Sequence, residues 1–241
     1  MRPMRPFWRY YGGKWRAAPL YPAPLYNTIV EPFAGSAGYS MRYPNYRVIL
    51  VEKYPVIAEM WRYLINVRVS EVMRIPCVDH VDELPSWVPQ GGRYLVGFCM
   101  NDATVCPSKS LSIGKRRYRE LGYSTEGWTE ARRARVASQL NRIGHWEIIE
   151  GDYTDAPDIV ATWFVDPPYN NRHGACYVHH DLNYEDLGEW CQTRRGQTLV
   201  CENEGATWLP FNPFDSRATT TTGLNGKDKR LREVLWQRHT L

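Results

Sequence analysis

Residues 27–52 read NTIVEPFAGSAGYSMRYPNYRVILVE. Two runs of aliphatic and β-branched residues flank a turn that carries Gly35 and Gly38. Asn27–Glu31 reads as a strand that stops at Pro32, because proline has no N–H to give to a ladder. Ala37–Arg42 suits a short helix ending before Tyr43-Pro44. Arg47–Glu52 is apolar almost without interruption, as expected of a parallel strand covered on both faces. After Pro55, the residues Ile57, Met60, Trp61, Leu64 and Ile65 recur at helical spacing through Val56–Val67. Strand, turn, helix, strand and helix in that order predict a βαβ unit and a parallel sheet.

Trp146–Glu150, Ala161–Val165 and Thr198–Glu202 extend the pattern with three more strands, and Trp128–Asn141 predicts a basic helix. Pro76–Tyr123 is rich in Pro, Gly and Ser, and Tyr94–Met100 within it fits either a strand or a buried helix. Arg217–Thr222 and Glu233–Arg238 predict a hairpin across Gly223–Gly226. The expected fold class is α/β: a Rossmann-like, mostly parallel sheet with an antiparallel C-terminal edge. Residues 1–70 and 145–241 would form the main domain and 71–144 an insertion. A chain of 241 residues has room for one such domain with a lobe, and little for two independent ones.

Composition narrows the class of function. No apolar run approaches the roughly 20 residues needed to span a bilayer. Met1–Lys14 is basic and aromatic, without the apolar centre of a signal peptide, so the expectation is a cytoplasmic protein with no membrane partner. Six cysteines stand without a CxxC pair, as reduced thiols would. Cys176, His179 and His180 lack the partner pair of a zinc site, so no metal is expected. Between Lys109 and Arg142 there are nine Lys or Arg against three Glu, a surplus larger than the whole chain's net charge of +4. Such a segment is either a solvated face or the footprint of a polyphosphate partner.

Ligands of open α/β sheets bind at the carboxyl ends of the strands, where the candidate residues fall. Glu31-Pro32-Phe33-Ala34-Gly35 follows the first strand, and its glycine-bearing turn either simply reverses the chain or lets a ligand approach the backbone. Glu52 ends the second strand, as a turn cap or as an acceptor for both hydroxyls of a ribose. Asp152-Tyr153 follows the third, an Asp to receive an adenine amino group and an aromatic to cover the ring. Together these fit a nucleoside, and no Walker-type phosphate lysine accompanies them. Asp166-Pro167-Pro168-Tyr169 follows the fourth strand. Its plain reading is a rigid turn with a core tyrosine. Its chemical reading is an amine-activating loop: the Asp166 carboxylate and the Pro167 carbonyl each accept one hydrogen of a planar amine, and Tyr169 stacks on the heterocycle.

Four motifs in order carry a resemblance: Tyr10-Tyr11-Gly12-Gly13-Lys14, Glu31-Pro32-Phe33-Ala34-Gly35, Glu52 and Asp166-Pro167-Pro168-Tyr169. With them the chain resembles the Dam-type adenine-specific DNA methyltransferases, phage and prokaryotic. Asn225, Gly226, Lys227, Arg230 and Glu233-Val234-Leu235 are similar to that family's C-terminal hairpin. The resemblance implies S-adenosylmethionine as methyl donor and the 6-amino group of a flipped-out adenine in double-stranded DNA as acceptor. It implies that Tyr10 and Lys14 border the donor, Phe33 and Gly35 hold its methionine part, and Glu52 its ribose. Asp166 would then lie between the methionine amino group and the target amine. Lys109, Lys115, Arg116, Arg117, Arg119 and Arg132 are the expected DNA contacts, to phosphates rather than bases. The match weakens at Asn101–Tyr123, which does not follow the family's recognition hairpin, and at Glu52, where Asp is commoner. A monomer or weak dimer is expected. An amino-methyltransferase acting on cytosine or RNA, and a catalytically silent nucleic-acid-binding protein of the same fold, are the competing readings. Asp166, where cytosine-specific relatives more often carry Ser, favours adenine.

Overall fold

The computed structural model describes residues 3–101, 103–122, 127–214, 220–222, 228–230 and 232–240, with backbone alone for 220–222 and 228–230. The strands are β1 (Thr28–Glu31), β2 (Arg47–Glu52), β3 (Glu147–Glu150), β4 (Val160–Val165), β5 (Arg195–Asn203), β6 (Asn212–Phe214), β7 (Thr220–Thr222), β8 (Asp228–Arg230) and β9 (Glu233–Thr240). The α-helices are α1 (Pro55–Asn66), α2 (Val69–Arg74), α3 (Gln90–Met100), α4 (Ile113–Glu120), α5 (Glu130–Ala137) and α6 (Tyr184–Thr193). Seven strands form one sheet in the order β3-β2-β1-β4-β5-β9-β6. The ladders from β3 to β5 are parallel, and β9 alone runs antiparallel to its neighbours β5 and β6. The chain is α/β, and the order reverses between β1 and β4, the switch point at which open sheets leave a crevice.

Strand alternation sends the two halves of each apolar run to opposite faces. Ile29, Val48, Leu50, Phe164, Leu199 and Cys201 join one core with Ile57, Met60, Trp61 and Leu64 of α1. Val30, Ile49, Val51, Trp163, Val165 and Val200 join a second with Leu187 and Cys191 of α6. Burial on both faces explains why β2 and β4 read as continuous apolar runs. The segment read as an insertion shares the first core through Val72, Ile75, Leu95, Val96 and Phe98.

Several expectations change. Ala37–Arg42 holds only a three-residue 3₁₀ turn, Ser40–Arg42. Tyr94–Met100 is the buried half of α3 and not a strand. The expected hairpin between Arg217–Thr222 and Glu233–Arg238 does not form: β7 pairs with β8, and β9 pairs with β5 from Asn203↔Glu233 to Gly196↔Thr240. Leu235 and Trp236 give β9 an apolar residue for each face of the main sheet, whereas the threonine run has none to bury. Residues 217–219 and 223–227, on which these expectations also rest, lie outside the described residues. The antiparallel strand also stands inside the edge, because β6 covers its first three residues.

Trp61 anchors this side of the sheet. Its ring lies within 5.9 Å of Phe7, Trp8 and Trp146, centroid to centroid, and its Nε1 donates to the Gly35 carbonyl at 2.8 Å. Trp61→Ala should therefore lower unfolding free energy by about 3–5 kcal/mol in urea titration, and a loss below about 1 kcal/mol would contradict the packing described.

Candidate active site

The carboxyl ends of β1 to β4 open into one shared cleft. Its walls include Tyr10, Lys14, Phe33, Gly35, Glu52, Asp152, Tyr153 and Asp166, so all eight residues read from the sequence as cofactor contacts meet in one place. Gly35 makes the turn after β1 with φ of +44°, a region that favours glycine. A Cβ there would stand 3.1 Å from the Tyr10 ring, and one on Gly38 would stand 2.6 Å from the Trp15 nitrogen. The N-terminal motif Tyr10–Lys14 thus lies directly on the glycine-bearing turn.

Glu52 fixes that turn. Its Oε2 accepts from the Gly35 N–H at 2.9 Å and its Oε1 from the Tyr54 N–H at 3.0 Å. Burial raises its carboxyl from the ordinary value, and these backbone bonds hold it back. An ionised carboxylate offers about four lone-pair sites, so each oxygen retains capacity for a ligand hydroxyl. Phe33 and Tyr153 face each other with centroids 5.7 Å apart and planes 26° apart, giving the wall a flat apolar side. Asp152 is half-buried, and its Oδ2 pairs with Lys53 at 2.7 Å.

The floor is charged. Lys14 is buried, with its Nζ 2.8 Å from Asp166 Oδ1, 3.5 Å from Glu233 Oε1 and 3.0 Å from the Gly12 carbonyl. Burial opposes its charge, but Asp166, Tyr169 and Glu233 outweigh that and hold the ammonium protonated. The Asp166 carboxyl is pushed up to about 6 by burial, with Lys14 pulling it down and Glu233 pushing it further up. Glu31, at the end of β1, is pushed up to about 8 by burial even though its Oε1 accepts from the Ser40 N–H at 2.7 Å. At neutral pH Glu31 is a neutral acid, whereas Asp166 is mostly a carboxylate.

Tyr169 is placed otherwise than the stacking role suggests. It is not a wall of the cavity: the Lys14 ammonium sits 4.8 Å from its ring centroid, and its hydroxyl donates to Glu233 Oε1 at 2.9 Å. Pro167 is buried behind Asp166, and the Pro168 carbonyl accepts from the Tyr184 hydroxyl at 2.8 Å. Residues 170–182 then arch across the cavity. Tyr177 Oη donates to the Tyr11 carbonyl at 2.9 Å, and Tyr11 Oη meets His173 Nδ1 at 3.2 Å. Tyr177, Glu202 and Glu233 also surround this region; the sequence reading named Glu233 only within the C-terminal resemblance and did not single out the other two. Glu202 is buried at the end of β5 and accepts from the Asn170 N–H at 3.1 Å, which ties the loop after β4 to the sheet.

The basic residues divide. Lys115, Arg116, Arg117 and Arg119 all lie on α4, where Ile113 and Tyr118 are exposed, as is Leu121 just beyond its end. Arg119 pairs with Asp79 at 2.5 Å, and Arg132 on α5 donates to the Cys99 carbonyl at 3.2 Å, so these two guanidiniums serve the protein's own packing. Lys109 is exposed in the loop before α4. Among the described residues no group of three His, Cys, Asp or Glu side chains is arranged to hold a metal ion, and no helix is long and apolar enough to cross a membrane.

No protein-family model and no curated protein matches the chain.

The Asp166 assignment is directly measurable. In protein labelled with ¹³C-aspartate, the resonance lost in Asp166→Asn should titrate near pH 6. Because Lys14 lowers that value, Lys14→Met should move the midpoint upward, and a midpoint near 4 in the unaltered protein would contradict the buried site.

Proposed function

We propose that the protein is a site-specific DNA methyltransferase that transfers a methyl group from S-adenosylmethionine to the 6-amino group of a flipped-out adenine. The observation that carries the reading is Asp166, a half-buried carboxylate just after β4, set in the wall of the same cavity as Glu52, Phe33 and Tyr153. The cavity suits the donor by its chemistry. A carboxylate with spare lone pairs matches a ribose diol, a flat apolar wall matches an adenine ring, and the close-packed turn at Gly35 leaves backbone where a side chain would fill space. Tyr10, Lys14, Phe33, Gly35, Glu52, Asp152 and Tyr153 would hold it. When bound, S-adenosylmethionine supplies a methyl on a positively charged sulfur, which leaves as a neutral thioether when an amine nitrogen takes that methyl.

The rest is the work of the chain's own groups. The Asp166 carboxylate accepts one hydrogen of the target amine and the Pro167 carbonyl the other, which frees the nitrogen lone pair. The amine loses one proton in the transfer, and the Asp166 carboxylate is the base within reach. Lys14 keeps Asp166 ionised despite its burial. The base must leave the duplex to arrive here. Exposed Arg116 and Arg117 on α4, with half-buried Lys115 beside them, supply a cationic face for the phosphate backbone.

Purified protein, methyl-labelled S-adenosylmethionine and unmethylated duplex DNA should yield label on adenine N6. Asp166→Asn should reduce turnover by about a thousandfold or more. Since only the carboxylate accepts the amine hydrogen, kcat/KM should rise with pH through about 6 and then level. Label in cytosine, or in RNA alone, would overturn the substrate, and no label in any nucleic acid would overturn the activity. Replacing Lys115, Arg116 and Arg117 by alanine should weaken DNA binding alike for all sequences and reduce the salt slope by about 3. An unchanged slope would remove α4 from the interface.

A further inference from the structure

The buried cation at the floor of the cavity has two carboxylate partners, of which the proposed chemistry uses one. The other is Glu233, the first residue of β9. An antiparallel strand between parallel ones begins where they end, so Glu233, paired with Asn203 at the end of β5, sits at the catalytic edge of the sheet. It is 5% exposed, and both its oxygens are engaged. Oε1 accepts from the Tyr169 hydroxyl at 2.9 Å and approaches Lys14 Nζ at 3.5 Å, while Oε2 accepts from the Tyr21 hydroxyl at 2.7 Å. Tyr21 is itself clamped, stacked on Phe214 of β6 at 4.6 Å and edge-on to Phe164 of β4 at 5.1 Å. A carboxylate that served only to fill the core would be a costly choice there, because a buried charge must find compensating partners.

We propose that Glu233 is a positioning residue for the methyl transfer: it shares the Lys14 ammonium with Asp166 and fixes the Tyr169 hydroxyl, so that the Asp166 carboxylate stays available to the target amine. The inference rests on the reaction proposed above. Without Glu233, the whole of the Lys14 charge falls on Asp166, and a carboxylate locked in a private ion pair is a poorer acceptor and a weaker base. The groups that face this pair are Lys14 from the N-terminal segment, Tyr21, Asp166 and Tyr169 after β4, Cys201 of β5, Glu31 of β1 and Tyr177 of the arch. Within that set Glu233 and Asp166 are the two carboxylates in contact with Lys14. Glu233 acts through Lys14 and Tyr169 and does not line the cavity.

The test compares the unaltered protein with Glu233→Gln, Glu233→Asp and Tyr21→Phe, in methyl transfer to unmethylated DNA across pH 5–9 and in the ¹³C titration of Asp166. Glu233→Gln should lower the Asp166 midpoint, and with it the acid limb of kcat/KM, by about one pH unit. It should reduce kcat by about ten- to a hundredfold, with KM for S-adenosylmethionine changed less than about threefold. Glu233→Asp keeps the charge and should restore the midpoint while recovering only part of kcat. An Asp166 midpoint and a kcat both unchanged in Glu233→Gln would overturn the proposal, as would a loss confined to KM. Should Glu233→Gln not fold, Tyr21→Phe decides: it removes one bond to Glu233, and it should lower kcat without moving the cofactor KM. Unchanged kcat there counts against the role. An unaltered protein that transfers no methyl refutes the proposed reaction, whereas an active protein indifferent to Glu233→Gln refutes this inference alone.

Discussion

The constraint on which the rest of the molecule depends is a buried lysine. Lys14 is removed from water almost completely, and a lone ammonium in that position would lose its proton or unfold the site. Two carboxylates and a tyrosine ring compensate it. They come from two places, the loop after β4 and the start of β9, whereas Lys14 itself belongs to the N-terminal segment. The sheet must form in full for those pieces to meet, and the parallel order with one reversed strand is what brings them to one edge. The charge of Asp166 is set by the balance between desolvation, which discourages it, and Lys14, which favours it.

The parallel core and the cavity walls were legible because each rests on local sequence. The runs of β1, β2 and β4 are apolar on both faces, and the residues that end them are Glu31, Glu52 and Asp166, whose polarity after such a run marks a strand end. The glycine turn at Gly35 and the double proline Pro167-Pro168 declare their backbone needs in the sequence itself. Glu52 required only the general rule that a carboxylate ending the second strand faces the same crevice.

What was not legible was set by distant partners. Whether β9 joins β7 or β5 depends on which pairing buries Leu235 and Trp236, and that is a property of the assembled sheet. Glu233 was named only within the C-terminal resemblance, since its contacts with Lys14 and Tyr21 join residues more than two hundred positions away. Tyr169 was read by its ring, whereas its hydroxyl and the ammonium beneath it define its placement. Arg119 and Arg132 were counted as surface charge because a run of basic residues does not reveal Asp79 or the Cys99 carbonyl. Tyr177 and the arch of residues 170–182 left no periodic trace, being held by hydrogen bonds of irregular backbone to the N-terminal segment.

The position of β9 has a consequence for how the protein comes into being. During synthesis the segment carrying Lys14 emerges early and Asp166 much later, so the lysine waits in an open chain. Until β9 follows, β5 presents a bare ladder of N–H and C=O groups, and the ammonium lacks its second counter-charge. Docking that strand closes the sheet and completes the charge balance in one event. The site therefore assembles at the end of folding rather than the beginning, and a ribosome-bound fragment short of Glu233 is both chemically incomplete and exposed to pairing with a neighbour. In such a molecule, an intact charge cluster reports that the sheet has been finished.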